Sequence, residues 1–246
     1  MTDACAIITG GGTGLGKAIA AALAIAGWRV VITGRREDVL IGAIGDLPDG
    51  VVHRVHDVTD LDAHDALVAE LEATIGPIGA LINNAGRHLK RPFVETDPAS
   101  LRAVVDTNLL GTVELTRAVV ARMLPRGQGR VVMISSMAGL MGLTNVSAYA
   151  LTKTALIGLT RALAVELGPA GLCVNAICPG FIDTPMFQAA TSTDPARRQR
   201  IEQRIPLPNL GTPGDVGSTA AFLCSPAARY LNGVVLPVDG GFSVGF

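Results

Sequence analysis

Short runs of apolar, β-branched residues alternate along this chain with longer segments of helical periodicity. The first half runs "CAIIT" (5–9), an alanine-rich segment from Gly14 to Ala26, "RVVIT" (29–33), a short helix, "VVHRV" (51–55) and a helix from Asp60 to Ile75. The second half runs "ALIN" (80–83), a long helix from about Pro98 to Leu124, "RVVMIS" (130–135), a helix from Ser147 to Leu167 and "CVNAI" (173–177). Apolar runs flanked by helices read as parallel strands covered on both faces. The pattern predicts an α/β fold in one domain, a doubly wound parallel sheet of about seven strands with helices on both faces.

Local signals support the boundaries. Asp97-Pro98 is an N-cap followed by proline at the first helical position, and Gly168-Pro169 marks a stop. The stretch from Asp183 to Pro208 breaks the rhythm with four prolines and the run Arg197-Arg198-Gln199-Arg200. It reads as a substrate lid, against the plainer alternative of a solvated helical excursion.

Composition narrows the chemistry. The chain has 246 residues, 49% of them hydrophobic, and its 20 Lys+Arg against 21 Asp+Glu leave a net charge of -1. That balance gives no electrostatic reason to expect nucleic acid or an anionic membrane as a partner, and favours a small-molecule substrate. Cys5, Cys173, Cys178 and Cys224 form no CxxC pair, and the histidines at 53, 56, 64 and 88 supply no zinc-type grouping with them. A reducing compartment and no structural metal are expected. No basic and apolar leader precedes "CAIIT", so a cytoplasmic location is expected. The longest uncharged stretch, Val131 to Thr152, is long enough to span a bilayer, but its serines, Thr144, Asn145 and two glycines read as a strand, a loop and a helix start.

The first strand runs into "TGGGTGLGKA", Thr9 to Ala18, where glycines permit a tight turn and let backbone N–H groups approach a phosphate at a helix N-terminus. Gly11 to Lys17 fits the first part of a P-loop, but Ala18 stands where magnesium-nucleotide binding needs a hydroxyl. Strict GxGxxG is absent in every register.

The spacing T-G-x-x-x-G-x-G at Thr9, Gly10, Gly14 and Gly16 resembles the nucleotide loop of the short-chain dehydrogenase/reductase family. The resemblance extends along nearly the whole chain, through "NNAG" at 83–86, Asn108, Ser136, Tyr149 with Lys153, and Pro179-Gly180 followed by Thr184. Each piece alone has an ordinary structural explanation, a turn or a strand end; their joint occurrence in family order does not. It implies a Rossmann-like fold, a dinucleotide held by Gly10, Gly12, Thr13, Gly14, Leu15 and Gly16, adenine contacts from Asp57 and Val58, and a cofactor wall of Asn84, Ala85 and Gly86. Pro179, Gly180, Ile182 and Thr184 then meet the nicotinamide side, and a homotetramer is implied.

The second strand ends at Gly34, where an acidic residue would select NAD; Arg35 and Arg36 follow, and a guanidinium matches a 2'-phosphate by charge and geometry. NADP(H) is predicted over NAD(H).

A tyrosine and a lysine at i and i+4 share one helix face, so the Lys153 ammonium can act on the Tyr149 phenol. Free tyrosine, with a pKa of about 10, is a poor proton acceptor near neutrality, and Lys153 together with the positive charge of the oxidised nicotinamide is expected to hold it down. In the family this pattern resembles, the lysine also bonds the nicotinamide ribose, Ser136 holds the substrate oxygen, and Asn108 supports a water-linked proton path to the lysine. The resemblance thus implies hydride transfer between NADPH and a carbonyl carbon, with Tyr149 as general acid and base. Reduction of a β-ketoacyl group on acyl carrier protein or coenzyme A is a narrower alternative. Against it, relatives of that kind often carry a basic residue where this chain has Ala170. A non-catalytic NADP-binding sensor is a second alternative, opposed by the intact Asn, Ser, Tyr and Lys set.

Three stretches bear on the substrate. Met137, Leu140, Met141 and Leu143 read either as an adaptable apolar pocket or as core. Arg87, His88, Lys90 and Arg91, just past "NNAG", read as an anion-attracting cluster or as a solvated loop. The lid is the third.

Overall fold

The computed structural model describes residues 4–192 and 194–245. Met1–Asp3, Thr193 and Phe246 lie outside the described residues, and with them one position of the expected lid.

Seven strands form one parallel sheet in the order β3-β2-β1-β4-β5-β6-β7. They are β1 (Cys5–Thr9), β2 (Arg29–Gly34), β3 (Val52–Val55), β4 (Ile78–Asn83), β5 (Gly129–Ile134), β6 (Leu172–Pro179) and β7 (Val235–Val238). The side-chain period of two splits each strand between two cores. Ile7, Val131, Met133 and Val174 pack beneath α3 (His64–Thr74), α5 (Gly111–Met123) and α6 (Ser147–Leu167) with Leu71, Leu115, Val119 and Leu156. Ala6, Ile8, Val132 and Ile134 pack under α1 (Gly14–Ile25), α2 (Glu37–Ile44) and α9 (Pro213–Cys224) with Ile19, Leu23, Leu40, Val216 and Leu223. At about 1.5–3 kcal/mol for each large side chain fully buried, these two layers carry the stability of the domain. All four cysteines are free and buried.

Strand order reverses between β1 and β4, which opens a crevice outside their carboxyl ends. The loops after those strands, the glycine loop and "NNAG", stand on its two sides. The uncharged stretch 131–152 is divided as expected, into the end of β5, a 3-10 turn at Met137–Gly139 and the start of α6.

Two elements carry detail that the sequence pattern does not disclose. The long helix from Pro98 is capped by Asp97, whose Oδ1 accepts from the Ser100 N–H at 2.8 Å, but it is interrupted. α4 (Pro98–Val105) passes into a π-turn at Asp106–Leu110 before α5 resumes. The apolar stripe continues through the break, so periodicity does not disclose it. Gly111 explains it in part: a Cβ there would lie 2.2 Å from the Val58 carbonyl oxygen, so the helix closes onto the loop after β3 only at a glycine.

The stretch 183–208 is the second. It contains two short helices, α7 (Pro185–Thr191) and α8 (Pro195–Arg204), capped by the Thr184 hydroxyl and the Asp194 carboxylate. Phe187, Ile201 and Ile205 turn inward onto Met137 and Phe242, a third and much smaller apolar cluster beyond the edge of the sheet.

Candidate active site

One cavity of about 900 Å³ runs along the crevice from Arg36 to Phe187. Every site residue predicted from the sequence lines it except Asn108, which lies behind the wall.

At the nucleotide end the shape is set by main chain. Gly10 and Gly14 hold φ values of 64° and 50°, which disfavour any side chain. A Cβ at Gly16 would stand 2.2 Å from the Gly10 carbonyl oxygen and 2.6 Å from Asn84 Nδ2, so α1 can begin this close to β1 only with glycine there. Thr9 ties the two loops together. Its Oγ1 accepts from the N–H groups of Asn84 and Ala85 at 3.0 and 2.9 Å, and Asn84 Nδ2 donates to the carbonyls of Thr9 and Gly10. Gly11, outside the sequence motif, is equally constrained, since its Cβ would lie 2.6 Å from Ile32 Cβ. Lys17 turns away from the cavity to Asp46, so the P-loop reading loses its lysine as well as its hydroxyl.

Arg35 and Arg36 line the far end beside Thr33, Gly34 and Asp57. Arg35 lies 3.9 Å from Asp57. Burial works against the charge on Asp57, but bonds from the Thr59 N–H and hydroxyl and the charge of Arg35 outweigh it and keep the carboxyl below its usual range. Asp57 is the only carboxylate among the described residues lining the cavity. Thr33 Oγ1, fully buried on the same wall, has no hydrogen-bond partner among the described residues. The glycine cradle, the unsatisfied hydroxyl and the two guanidinium groups fit an anionic dinucleotide.

At the other end Ser136, Tyr149 and Lys153 converge. Ser136 follows β5 and caps the 3-10 turn, its Oγ accepting from the Ala138 N–H at 3.1 Å. Ser135, one residue earlier, is structural: its hydroxyl donates to the Lys153 carbonyl at 2.8 Å and pins α6 to the sheet. Lys153 is 3% exposed, and its ammonium donates to the Ile134 carbonyl at 2.7 Å. Burial pushes its pKa down to about 8.

In the free chain burial dominates at Tyr149. Burial raises its pKa above the ordinary phenol value, and the hydrogen bond with Ser136 offsets only part of this. Lys153 does not reverse it in the free chain, because the ammonium is directed at Ile134 and lies 5.6 Å from the ring centroid. The neighbouring Cys178 thiol is also pushed up by burial and stays neutral.

Asn108 sits in the π-turn, 1% exposed. Its Oδ1 accepts from the Arg87 N–H at 2.6 Å, and its Nδ2 donates to the Arg87 carbonyl and to Thr152 Oγ1. Thr152 in turn donates to the Tyr149 carbonyl at 2.8 Å. Gly86 lies between Asn108 and Lys153: a Cβ there would be 3.5 Å from both the amide oxygen and the ammonium and would fill the gap. Wide turns of this kind recur at functional positions because they re-aim one side chain.

The substrate-side expectations divide. Met137 and Leu143 line the cavity, whereas Leu140 is exposed. Arg87 and His88 line it, and the His88 ring packs on Tyr149 with centroids 4.8 Å apart, while Arg91 is turned to Asp97 at 2.6 Å. Phe181, Phe187 and Arg197 also line it; Arg197 belongs to the basic run of the expected lid, while nothing local in the sequence marks the two phenylalanines.

Residues 10–243 match the family described as enoyl-(acyl carrier protein) reductase. Among individual proteins, the chain is 37% identical to galactitol 2-dehydrogenase (L-tagatose-forming) of Cereibacter sphaeroides, over 99% of this chain and 96% of that one. It is 35% identical to the 3-oxoacyl-[acyl-carrier-protein] reductase MabA of Mycobacterium avium, over 97% and 89%. A crystal structure of an actinorhodin polyketide ketoreductase variant with NADPH superposes with a TM-score of 0.94 at 32% identity, covering 99% of each chain. Sugar alcohol, acyl thioester and polyketide are unlike substrates, and what these relatives share is interconversion of an alcohol and a carbonyl. The chain belongs to the short-chain dehydrogenase/reductase family and is an oxidoreductase acting on CH–OH and C=O groups.

Proposed function

We propose that this chain is an NADP(H)-dependent reductase that interconverts a carbonyl and a secondary alcohol, with Tyr149 as general acid and base. The observation that carries the reading is the convergence of Ser136, Tyr149 and Lys153 at one end of a cavity whose other end carries Arg35 and Arg36. The bound nicotinamide supplies hydride and, once oxidised, a further positive charge. Ser136 and Tyr149 hold the carbonyl oxygen, and Tyr149 gives it a proton as the carbon is reduced. The Lys153 ammonium stabilises the phenolate left behind and holds the nicotinamide ribose. Asn108 orients Arg87 and Thr152 and supports a water-linked path by which the lysine is reprotonated. The segment 183–208 serves as the substrate lid of a single domain, and the family resemblance supports a homotetramer.

A second reading, reduction of a β-ketoacyl thioester, is favoured by the likeness to MabA and opposed by Ala170.

The test is NADPH oxidation with cyclic, aromatic and β-ketoacyl carbonyl substrates, in the native chain and in Tyr149→Phe. Loss of the phenol proton is expected to lower turnover by about 10³-fold while NADPH still binds. Near-normal turnover in Tyr149→Phe would refute the mechanism.

A further inference from the structure

On the substrate side the cavity lies between two loops. One follows β4 and carries Arg87 and His88; the other precedes α6 and carries Leu143 and Val146, and all four residues line the cavity. The first loop is pinned at its start, where Asn108 holds both the N–H and the carbonyl of Arg87. It is pinned again at Arg91, whose N–H donates to the Asn145 carbonyl at 2.7 Å. The Arg91 guanidinium runs the other way, to Asp97 at the cap of α4. His88, between the two pins, leans its ring on Tyr149.

The second pin is made by backbone in an unfavourable shape. Asn145 holds a φ of 65°, the only positive value among the described residues other than glycine. It directly precedes Val146, whose carbonyl accepts from the Ala150 N–H at 2.8 Å in the first turn of α6. One turn therefore both hands a carbonyl to Arg91 and sets the entry of the helix that presents Tyr149. The Asn145 side chain is exposed and makes no hydrogen bond among the described residues, so the turn uses the conformation of this residue and not its amide. Asparagine visits the left-handed region more readily than other residues with a side chain, whereas a β-branched residue there is an outlier. Strained backbone of this kind persists where the surrounding structure needs it.

Resting on the carbonyl chemistry proposed above, we propose that Asn145 is a positioning residue that governs which carbonyl compounds the site holds. Its left-handed turn keeps the loop 87–91 against the loop 143–146, and so fixes His88 relative to Leu143 and Val146 around the reacting carbonyl. With that carbonyl turned away, the far end of the loop 87–91 loses its tie to the α6 side, and His88 is no longer held over the phenol.

The test compares Asn145→Gly, Asn145→Ala and Asn145→Val with the native chain, using cyclohexanone and acetophenone as probes. Glycine adopts the turn freely, so Asn145→Gly should keep native behaviour; alanine and then valine should lose it in that order. In Asn145→Val the KM for a ketone is expected to rise about tenfold, with kcat changed less than about threefold and NADPH affinity unaltered. Hydrogen exchange of the Arg91 amide should be slow in the native chain and Asn145→Gly and fast in the other two. If Asn145→Val does not fold, Asn145→Ala carries the same comparison. Calorimetry of ketone binding to the NADPH complex in a Tyr149→Phe background reads the same loss without turnover, so failure of this inference is separable from failure of the proton-transfer role of the tyrosine. Ketone affinity unchanged in Asn145→Val and Asn145→Ala, an equal loss in Asn145→Gly, or a parallel loss of NADPH affinity would overturn the proposal.

Discussion

The two ends of the cavity are built from different materials. At the nucleotide end the walls are main chain: Gly10, Gly14 and Gly16 are fixed by dihedral angle or by a neighbour 2.2 Å from where a Cβ would stand, and Thr9 locks the two loops with bonds to backbone N–H groups. At the substrate end the walls are side chains, Leu143, Phe181, Phe187 and Arg197, carried on segments outside the sheet and held by a cluster of a few buried residues. A backbone site tolerates almost no change of residue and binds one ligand class. A side-chain site can be relined without disturbing the fold, and relatives of similar identity accordingly act on a sugar alcohol and on an acyl thioester.

This contrast can be broken or sharpened by experiment. Gly16→Ala should have the largest effect: the methyl meets backbone that cannot yield, costing on the order of 3 kcal/mol, lowering Tm by roughly 10 °C and removing measurable NADPH binding. A melting curve and a fluorescence titration check it, and an alanine tolerated there would show the loop to be softer than its geometry.

The catalytic end should respond to pH. In the proposed mechanism the Lys153 ammonium is the working form, and burial holds its pKa at about 8 in the free chain, so its charge is present below that pH and lost above it. kcat/KM for NADPH, which reports groups of the free protein, should fall about tenfold per pH unit above about 8. A profile flat to pH 10 would mean that the lysine charge is not needed.

Arg35→Asp should reduce the ratio of NADPH to NADH affinity by about tenfold or more, since it removes a charge-assisted bond to the 2'-phosphate and adds a repulsion. An unchanged ratio in binding titrations would assign Arg35 to the solvated surface.

Thr152→Val should give the smallest effect. It keeps the volume but cuts the link from Asn108 to the Tyr149 carbonyl, and kcat is expected to fall about threefold to tenfold with NADPH affinity unaltered.

How much of this was legible in the sequence follows the same division. Short β-branched apolar runs, the Asp97-Pro98 cap and the stop at Gly168-Pro169 are local signals, and the structure follows them, with α6 ending at Leu167. The glycine loop and the Tyr149–Lys153 pair were legible because their spacing is itself the geometry. The π-turn was not, since the apolar stripe runs through it unbroken; the run Arg197-Arg198-Gln199-Arg200 was legible as part of the expected lid, but which of its arginines lines the cavity depends on how α8 packs. The partner of the lysine was not legible either: helical spacing places it near the phenol, but does not reveal that the Ile134 carbonyl takes the ammonium in the free chain.

The wide turn at Asp106–Leu110 sets regularity against chemistry. Removing one residue from it would restore an unbroken helix from Pro98 to Met123, with a full ladder of i to i−4 bonds, but would erase the wider turn that aims Asn108. Asn108 would then no longer face both Arg87 and Thr152. For this helix the better-formed secondary structure is the less competent one, and single-residue length variation, ordinarily absorbed by loops, is here confined by the position of one amide.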